Sequence, residues 1–231
     1  MQTTPSLDHF DQAYRSRSAP WVIGEPQPAI VELQRAGLIR SKVLDVGCGT
    51  GEHTILLTRL GYDVLGIDFA PHAVKQARAN AADEGVDARF EVADAMKLGS
   101  DSPEEHAYQT IVDSALFHVF DDADRARYVS GLHAAVRPGG LVHVLALSDA
   151  GRGFGPQVSE PDIREAFGDG WVLEALGITT YRGVVQKVHS EAVGLPIGTR
   201  VDEPAWRRAP GGSRESRRAN GRGGAARGRG R

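Results

Sequence analysis

The sequence predicts a doubly wound α/β fold: a mostly parallel, seven-stranded sheet with helices on both faces and a final antiparallel strand. Three observations predict it. Short apolar runs alternate with helix-period segments along most of the chain, the pattern of strands joined by crossover helices. A glycine-rich string follows directly on the first such run, where a strand must turn sharply into a helix. The length, 231 residues with 41% apolar and 25% charged, supplies one core of ordinary globular composition.

The elements follow in order. Leu7 to Arg17 reads as a helix through Leu7, Phe10 and Tyr14, ahead of Ser18-Ala19-Pro20-Trp21. Pro26 and Pro28 introduce a second helix, Ala29 to Ala36, with Ile30 and Leu33 inward and Gly37 as its stop. Val43 to Val46 is the first strand. It leads through the glycines into a helix carrying Ile55, Leu56 and Leu60, closed by Gly61. Tyr62 to Asp68 is the second strand. Pro71 starts an Ala-rich helix with Val74, Ala77 and Ala81 inward, ending at Gly85, and Ala88 to Val92 is the third strand. Thr110 to Asp113 is the fourth. Asp121 or Asp122 caps a helix on which Tyr128, Leu132 and Val136 share a face, and Arg137-Pro138-Gly139-Gly140 ends it. Leu141 to Leu147 is a strand, Ser159 to Phe167 a helix, Trp171 to Val185 is β-like, and Lys187-Val188-His189 begins the last, antiparallel strand. Ligands of such sheets bind outside the carboxyl ends of the strands, so the chemistry is sought after each one.

Charge is distributed unevenly. The formal net charge is −3, but Arg207 to Arg231 holds nine Arg and one acid, +8, which leaves −11 on the preceding residues. An acidic body repels a nucleic-acid backbone on average, so nucleic-acid contact is confined to the tail. Cys48 is the one cysteine, which excludes a disulfide framework and a Cys-rich zinc site. The eight histidines show no metal-ligand spacing with carboxylates, so no metal is expected. The longest apolar runs fall far short of the roughly 20 residues of a membrane span. With no basic and apolar leader at Met1 to Phe10, a cytoplasmic address is expected.

Asp45-Val46-Gly47-Cys48-Gly49-Thr50-Gly51 is the most informative string. A dinucleotide fingerprint needs its third glycine at position 52, which is Glu; a phosphate loop needs a Lys after the glycines, and there is none. Asp45 repels a diphosphate but suits a ligand with an ammonium or sulfonium. Asp68 ends the second strand, where a carboxylate accepts both hydroxyls of a ribose, and Asp94 follows the third, where it can accept from an adenine amino group.

The string resembles the S-adenosylmethionine-binding motif of class I methyltransferases, together with Gly66-Ile67-Asp68-Phe69-Ala70, Ala93-Asp94-Ala95, Asp113 to His118 and Arg137 to Gly140. The resemblance implies a Rossmann-like fold with S-adenosylmethionine as cofactor. It implies that Asp45 and the loop Gly47, Cys48, Gly49, Thr50 and Gly51 cradle the methionine moiety. Asp68 holds the ribose, Phe69 flanks the adenine, Asp94 and Ala95 line its edge, and Asp113 with Ser114 face the methionyl end. Trp21-Val22-Ile23-Gly24-Glu25-Pro26-Gln27-Pro28 with Asp113-Ser114-Ala115-Leu116-Phe117-His118 is similar to the thiopurine-methyltransferase-like group, which includes enzymes methylating heterocyclic toxins and quinolones; there the Trp21 segment folds over the cofactor. This divides the chain into a helical lid and cofactor-capping segment at 1–40, a methyltransferase domain at 41–206, and a disordered Arg/Gly-rich tail at 207–231.

Methyl transfer leaves alignment, charge and exclusion of water to the protein. If a general base exists, His118 is the candidate, five residues past Asp113; the alternative is that His118 shapes the pocket with Phe117 and Phe120. His143 reads as a packed core residue and Cys48 as a small loop residue. The expected acceptor is a small, flat, heteroaromatic molecule methylated on O, N or S, with Trp21, Phe117 and Phe120 as flat walls, and a monomer is expected. No Asn/Asp-Pro-Pro-Tyr/Phe string follows the fourth strand, which argues against methylation of DNA bases. A second class of function is an RNA-associated protein that uses the tail as an RGG-like arm; a functionless tail from a shifted reading frame is the alternative to that.

Overall fold

The structure, a computed structural model, describes residues 4–99, 106–151, 155–186 and 196–208. Its helices are α1 (Leu7–Arg15), α2 (Pro28–Arg35), α3 (Glu52–Arg59), α4 (Pro71–Asp83), α5 (Asp122–Ala135) and α6 (Glu160–Ala166). Its strands are β1 (Val43–Val46), β2 (Val64–Asp68), β3 (Arg89–Val92), β4 (Tyr108–Ser114), β5 (Val136–Leu147), β6 (Leu176–Val184) and β7 (Arg200–Arg208). They form one sheet in the order β3-β2-β1-β4-β5-β7-β6. The strands from β3 to β5 pair in parallel, and β7 runs antiparallel to both its neighbours. The doubly wound, mostly parallel fold expected from the alternation is the fold observed.

Strand alternation divides the core between the two faces. Leu44, Val46, Ile111 and Val144 face α5 and α6, packing with Tyr128, Leu132 and Phe167; Val43, Val112, Leu145 and Leu147 face α2, packing with Ile30 and Leu33. β1, β2, β4 and the second half of β5 are buried on both faces, which is why they read as apolar runs. Local chemistry sets the helix starts. The Asp121 carboxylate accepts from the Asp124 amide at 2.9 Å. Ser159 and Asp162 form a reciprocal capping box, and Pro28 and Pro71 occupy first turns.

Three boundaries differ from expectation. β5 begins at Val136, so Arg137 to Gly140 lies inside the strand and does not end a helix in a loop. Val136 leaves α5 with extended dihedrals and pairs at once with Tyr108, and the register shift before Thr110 absorbs the proline and glycines. The antiparallel strand is 200–208; Lys187-Val188-His189 lies outside the described residues. β7 includes Arg207 and Arg208, and the rest of the tail lies outside the described residues. Within 1–40, α2 is a core helix, with Ile30 and Leu33 each 1% exposed, so the segment that covers the site ends near Gln27.

Candidate active site

The carboxyl ends of β1, β2, β3 and β4 open into a cavity of about 440 Å³. It lies where β1 has β2 on one side and β4 on the other, the point at which the chain reverses its direction of winding. One half is bounded by Gly47, Asp68, Phe69, Asp94 and Ala95; the other by His118, Phe120, Leu147, Tyr181, Val201 and Glu203. A smaller polar side chamber, lined by Cys48, Gly49, Thr50, Glu52, His53 and Gln27, adjoins the first half. Gly47, Ser114, Tyr14, Trp21 and Tyr181 belong to the walls of both.

The glycine loop is built as its sequence requires. Gly47, Gly49 and Gly51 take φ of 70°, 55° and 91°, a region that penalises any side chain. At Gly51 a Cβ would also lie 2.8 Å from the Phe90 ring and 2.9 Å from Ala77 Cβ, so the loop can sit down on α4 and β3 only as glycine. Asp68 organises it from below. One carboxylate oxygen accepts from the Gly49 amide at 3.0 Å and the other from the Ala70 amide at 2.9 Å. Burial pushes the Asp68 pKa up to about 6 against those two stabilising amides. A carboxylate offers roughly four acceptor sites, so Asp68 keeps capacity for a ligand's hydroxyls. Asp94 caps a short 3-10 turn by accepting from the Met96 amide at 2.9 Å, with Ala95 beside it at the cavity wall.

Two other acids stand behind the wall. Asp45, 1% exposed, accepts from Thr54 Oγ1 at 2.6 Å, which fixes α3 to the loop, and its pKa is also raised to about 6 by burial. Asp113 is fully buried and accepts from the Leu116 and Phe117 amides at 3.0 and 3.2 Å and from the Tyr128 hydroxyl at 2.7 Å. Neither is among the residues that line these two chambers; their bonds hold the segments that do. Ser114, next to Asp113, does reach the wall of both chambers. Cys48 is buried, and burial raises its thiol well above the usual range, as suits a packing residue. His143 is buried as expected and donates from Nε2 to the Leu38 carbonyl at 2.8 Å.

His118 sits on the turn that Asp113 holds. Arg125 secures the same turn by donating to the Phe120 carbonyl at 2.9 Å. His118 Nδ1 accepts from the Leu147 amide at 3.2 Å, so the neutral ring carries its proton on Nε2. Burial, helped by the charge of Arg125, lowers the pKa to about 3. A base this weak, with one lone pair occupied, is poorly matched to neutral pH. Of the two roles open to His118, the geometry favours shaping the pocket. Phe120 lines the cavity, whereas Phe117 is fully buried and stacks on Phe167 at 5.5 Å, so it is core and no pocket wall.

The roof is the N-terminal segment. Trp21 Nε1 donates to the Tyr14 hydroxyl at 2.9 Å, and the Phe10 ring lies 5.7 Å from Trp21 and 5.6 Å from Phe69. The Gln27 side chain closes the segment onto β6, accepting from Arg182 N at 2.9 Å and donating to Arg182 O at 2.8 Å. Val184 N donates to the Pro20 carbonyl at 2.8 Å. Phe10 and Tyr14 are four residues apart on one helix face, a spacing visible in the sequence but not assigned to the site there. Tyr181, Val201 and Glu203 were missed because their strands were placed loosely or not at all.

The comparisons with known proteins agree with this geometry. A family model described as a methyltransferase domain matches residues 43–140. The chain is 33% identical over 181 residues to the 2-heptyl-1-hydroxyquinolin-4(1H)-one methyltransferase of Mycobacteroides abscessus, over 72% of this chain and 78% of that one. A structure solved in work on the conversion of a disulfide bond into a thioacetal group during echinomycin biosynthesis superposes with a TM-score of 0.77 at 36% identity, covering 87% of this chain and 90% of that one. An S-adenosylmethionine-dependent methyltransferase from Anabaena variabilis shares the fold, with a TM-score of 0.66 at 18% identity over 89% of this chain and 96% of that one. With a glycine-rich loop after the first strand, an acid closing the second, and these relatives over most of its length, the chain belongs to the class I S-adenosylmethionine-dependent methyltransferases.

Proposed function

We propose that this methyltransferase acts on an O, N or S atom of a small, flat heteroaromatic acceptor, by in-line displacement. The observation that carries the reading is the second half of the cavity, where Phe120, Leu147, Val201 and Tyr181 make a mostly apolar enclosure contiguous with the cofactor half. The whole cavity, about 440 Å³, lies within the roughly 300–1,000 Å³ of small-molecule sites. The quinolone methyltransferase at 33% identity supports a heteroaromatic ring, and the thioacetal-forming relative keeps sulfur among the possible acceptor atoms.

The residues present fit the cofactor. Its bound form supplies a methyl group already activated by positive sulfur. Asp68 offers carboxylate oxygens for a ribose diol, and Phe69, Ala95 and Asp94 offer a slot and an edge for adenine. Gly47, Cys48, Gly49 and Thr50 with Ser114 border the polar side chamber, which suits the charged amino-acid end, and Gly51 seats that loop on α4 and β3. Asp68 in a dry wall favours a cationic ligand. Trp21, held by Tyr14, closes the roof and excludes water, and His118 and Phe120 hold the acceptor plane.

The test is a panel of hydroxyquinolones, phenols, N-heterocycles, thiols and a cyclic disulfide incubated with methyl-labelled S-adenosylmethionine. Label is expected on a ring compound, with the methylated atom identified by mass spectrometry and NMR. Label recovered in protein or RNA with none on any small ring would overturn the substrate class.

A further inference from the structure

We propose that Glu203 is the group that reads the acceptor's hydroxyl and takes its proton. The inference rests on the small-molecule reading above. Among the described residues, three acids line the cavity: Asp68, Asp94 and Glu203. Asp68 and Asp94 lie on the cofactor half and cap backbone amides there. Glu203 stands alone on the acceptor half. It is 4% exposed, on the one strand that enters the sheet antiparallel between β5 and β6.

Strand alternation explains how it gets there. Ala205 pairs with Leu147, the last residue of β5, so Glu203 and Val201 continue on the same face beyond the end of that strand, over the cavity. Tyr181 pairs directly with Glu203 across the ladder and lines the same wall. The opposite side is cut to fit the carboxyl group. A Cβ on Gly151 would fall 2.9 Å from Glu203 Oε2 and 2.9 Å from Gln157 Nε2, so glycine at 151 lets the ends of both side chains lie against the turn after β5 without shifting. A carboxyl group can accept several hydrogen bonds at once, so contacts with the protein leave it able to accept one more from a ligand.

The neighbouring polar groups are unsuited to the task. His118 has its Nδ1 lone pair engaged by the Leu147 amide, and burial pushes the Tyr181 hydroxyl well above the usual phenol range. When a ring hydroxyl faces Glu203, its O–H bond breaks, the proton passes to a carboxylate oxygen, and the electron pair stays on the acceptor oxygen. With the cofactor bound, that pair would bond to the methyl carbon while the methyl–sulfur bond breaks and its electrons stay on sulfur, leaving S-adenosylhomocysteine as a neutral thioether. An acceptor already ionised in solution has no proton to give and gains nothing from Glu203.

Calorimetry with the protein saturated in S-adenosylhomocysteine tests the contact without turnover. The probes are 8-hydroxyquinoline and quinoline, which differ by the hydroxyl. Wild type is expected to prefer the hydroxyl compound by about 10- to 150-fold, the range for a hydrogen bond to a charged group. Glu203→Gln should cut that preference at least fivefold while leaving S-adenosylhomocysteine affinity unchanged, which also shows that the variant is folded; Glu203→Asp should restore part of it. In turnover on ring-substituted hydroxyquinolines, Glu203→Gln should cost about 10²- to 10⁴-fold for members neutral at the assay pH and little for ionised ones. An undiminished preference in Glu203→Gln, or equal turnover losses across the series, overturns the proposal. If wild type neither binds nor methylates any member, the substrate reading itself fails, a different outcome from a wild type that works and a variant that does not discriminate.

Discussion

With its Nδ1 lone pair taken by the Leu147 amide and its pKa near 3, His118 stays neutral across the working range. His118→Asn should therefore slow neutral and ionised acceptors by the same factor, since only the shape of the wall changes; a loss confined to neutral hydroxyl acceptors in steady-state assays would return the base role to it. Asp68 behaves oppositely. Its pKa of about 6 means that it gains a proton as pH falls through that value, and a protonated carboxyl is a poorer partner for a diol. Affinity for S-adenosylhomocysteine should weaken between pH 7.5 and 5. Asp68→Ala should weaken it by about 10- to 150-fold at pH 7.5 and flatten that pH dependence. Calorimetry at both pH values measures each effect, and wild-type affinity in a folded Asp68→Ala protein would make the acid a mere loop anchor. The sequence could show that Asp45 and Asp113 flank ligand loops, but not which way they point. Both end up under the loops because a buried amide or hydroxyl has to be satisfied there, and a strand-end carboxylate is the nearest acceptor.

The segment from β4 to α5 ties catalysis to stability. Asp113 is buried, and although the Tyr128, Leu116 and Phe117 bonds oppose the shift, desolvation raises its pKa to about 6. A folded-state value above the unfolded one means the folded protein holds the proton more tightly. The stability this confers is complete below about pH 4 and is lost as pH rises through 6. Asp113→Asn keeps an oxygen for the two amides and lets Tyr128 turn its hydroxyl. The variant should therefore gain relative to wild type by on the order of 2–3 kcal/mol between pH 4 and 7. Urea titrations across that range check this, and a constant difference would show that Asp113 does not titrate there. β7 gives the second element-scale prediction. Ending the chain after Arg208 should leave Tm and turnover unchanged, because every described wall of the cavity is retained. Ending it after Thr199 removes a strand with partners on both sides and should abolish folding, seen by circular dichroism. β7 was hard to see in advance because Pro204 interrupts it; Val201, Glu203 and Ala205 do alternate inward, but a proline inside a short run argues against a strand.

The central parallel strands β1, β2, β4 and β5 could be read directly because two-sided burial makes each an apolar run set off by glycine, proline or an acid; the exposed edge strand β3 was read from its place after the third turn. The antiparallel part could not: β6 is only partly covered, with Ile178 58% exposed, so no apolar run marks it. That difference is the reason Trp21, His118 and Phe120 could be named in the sequence as walls of the acceptor half while Tyr181, Val201 and Glu203, on β6 and β7, could not. The account places cofactor and acceptor in adjoining halves of one cavity. Its most direct test is calorimetric titration of 8-hydroxyquinoline into the S-adenosylhomocysteine complex of wild type and of Val201→Phe, whose ring fills the acceptor half. One-to-one binding in wild type should be lost in Val201→Phe, while S-adenosylhomocysteine affinity stays within about threefold, because Val201 lines the acceptor half and not the cofactor half. Undiminished binding of the ring compound to Val201→Phe, or equal loss of both ligands, would contradict it.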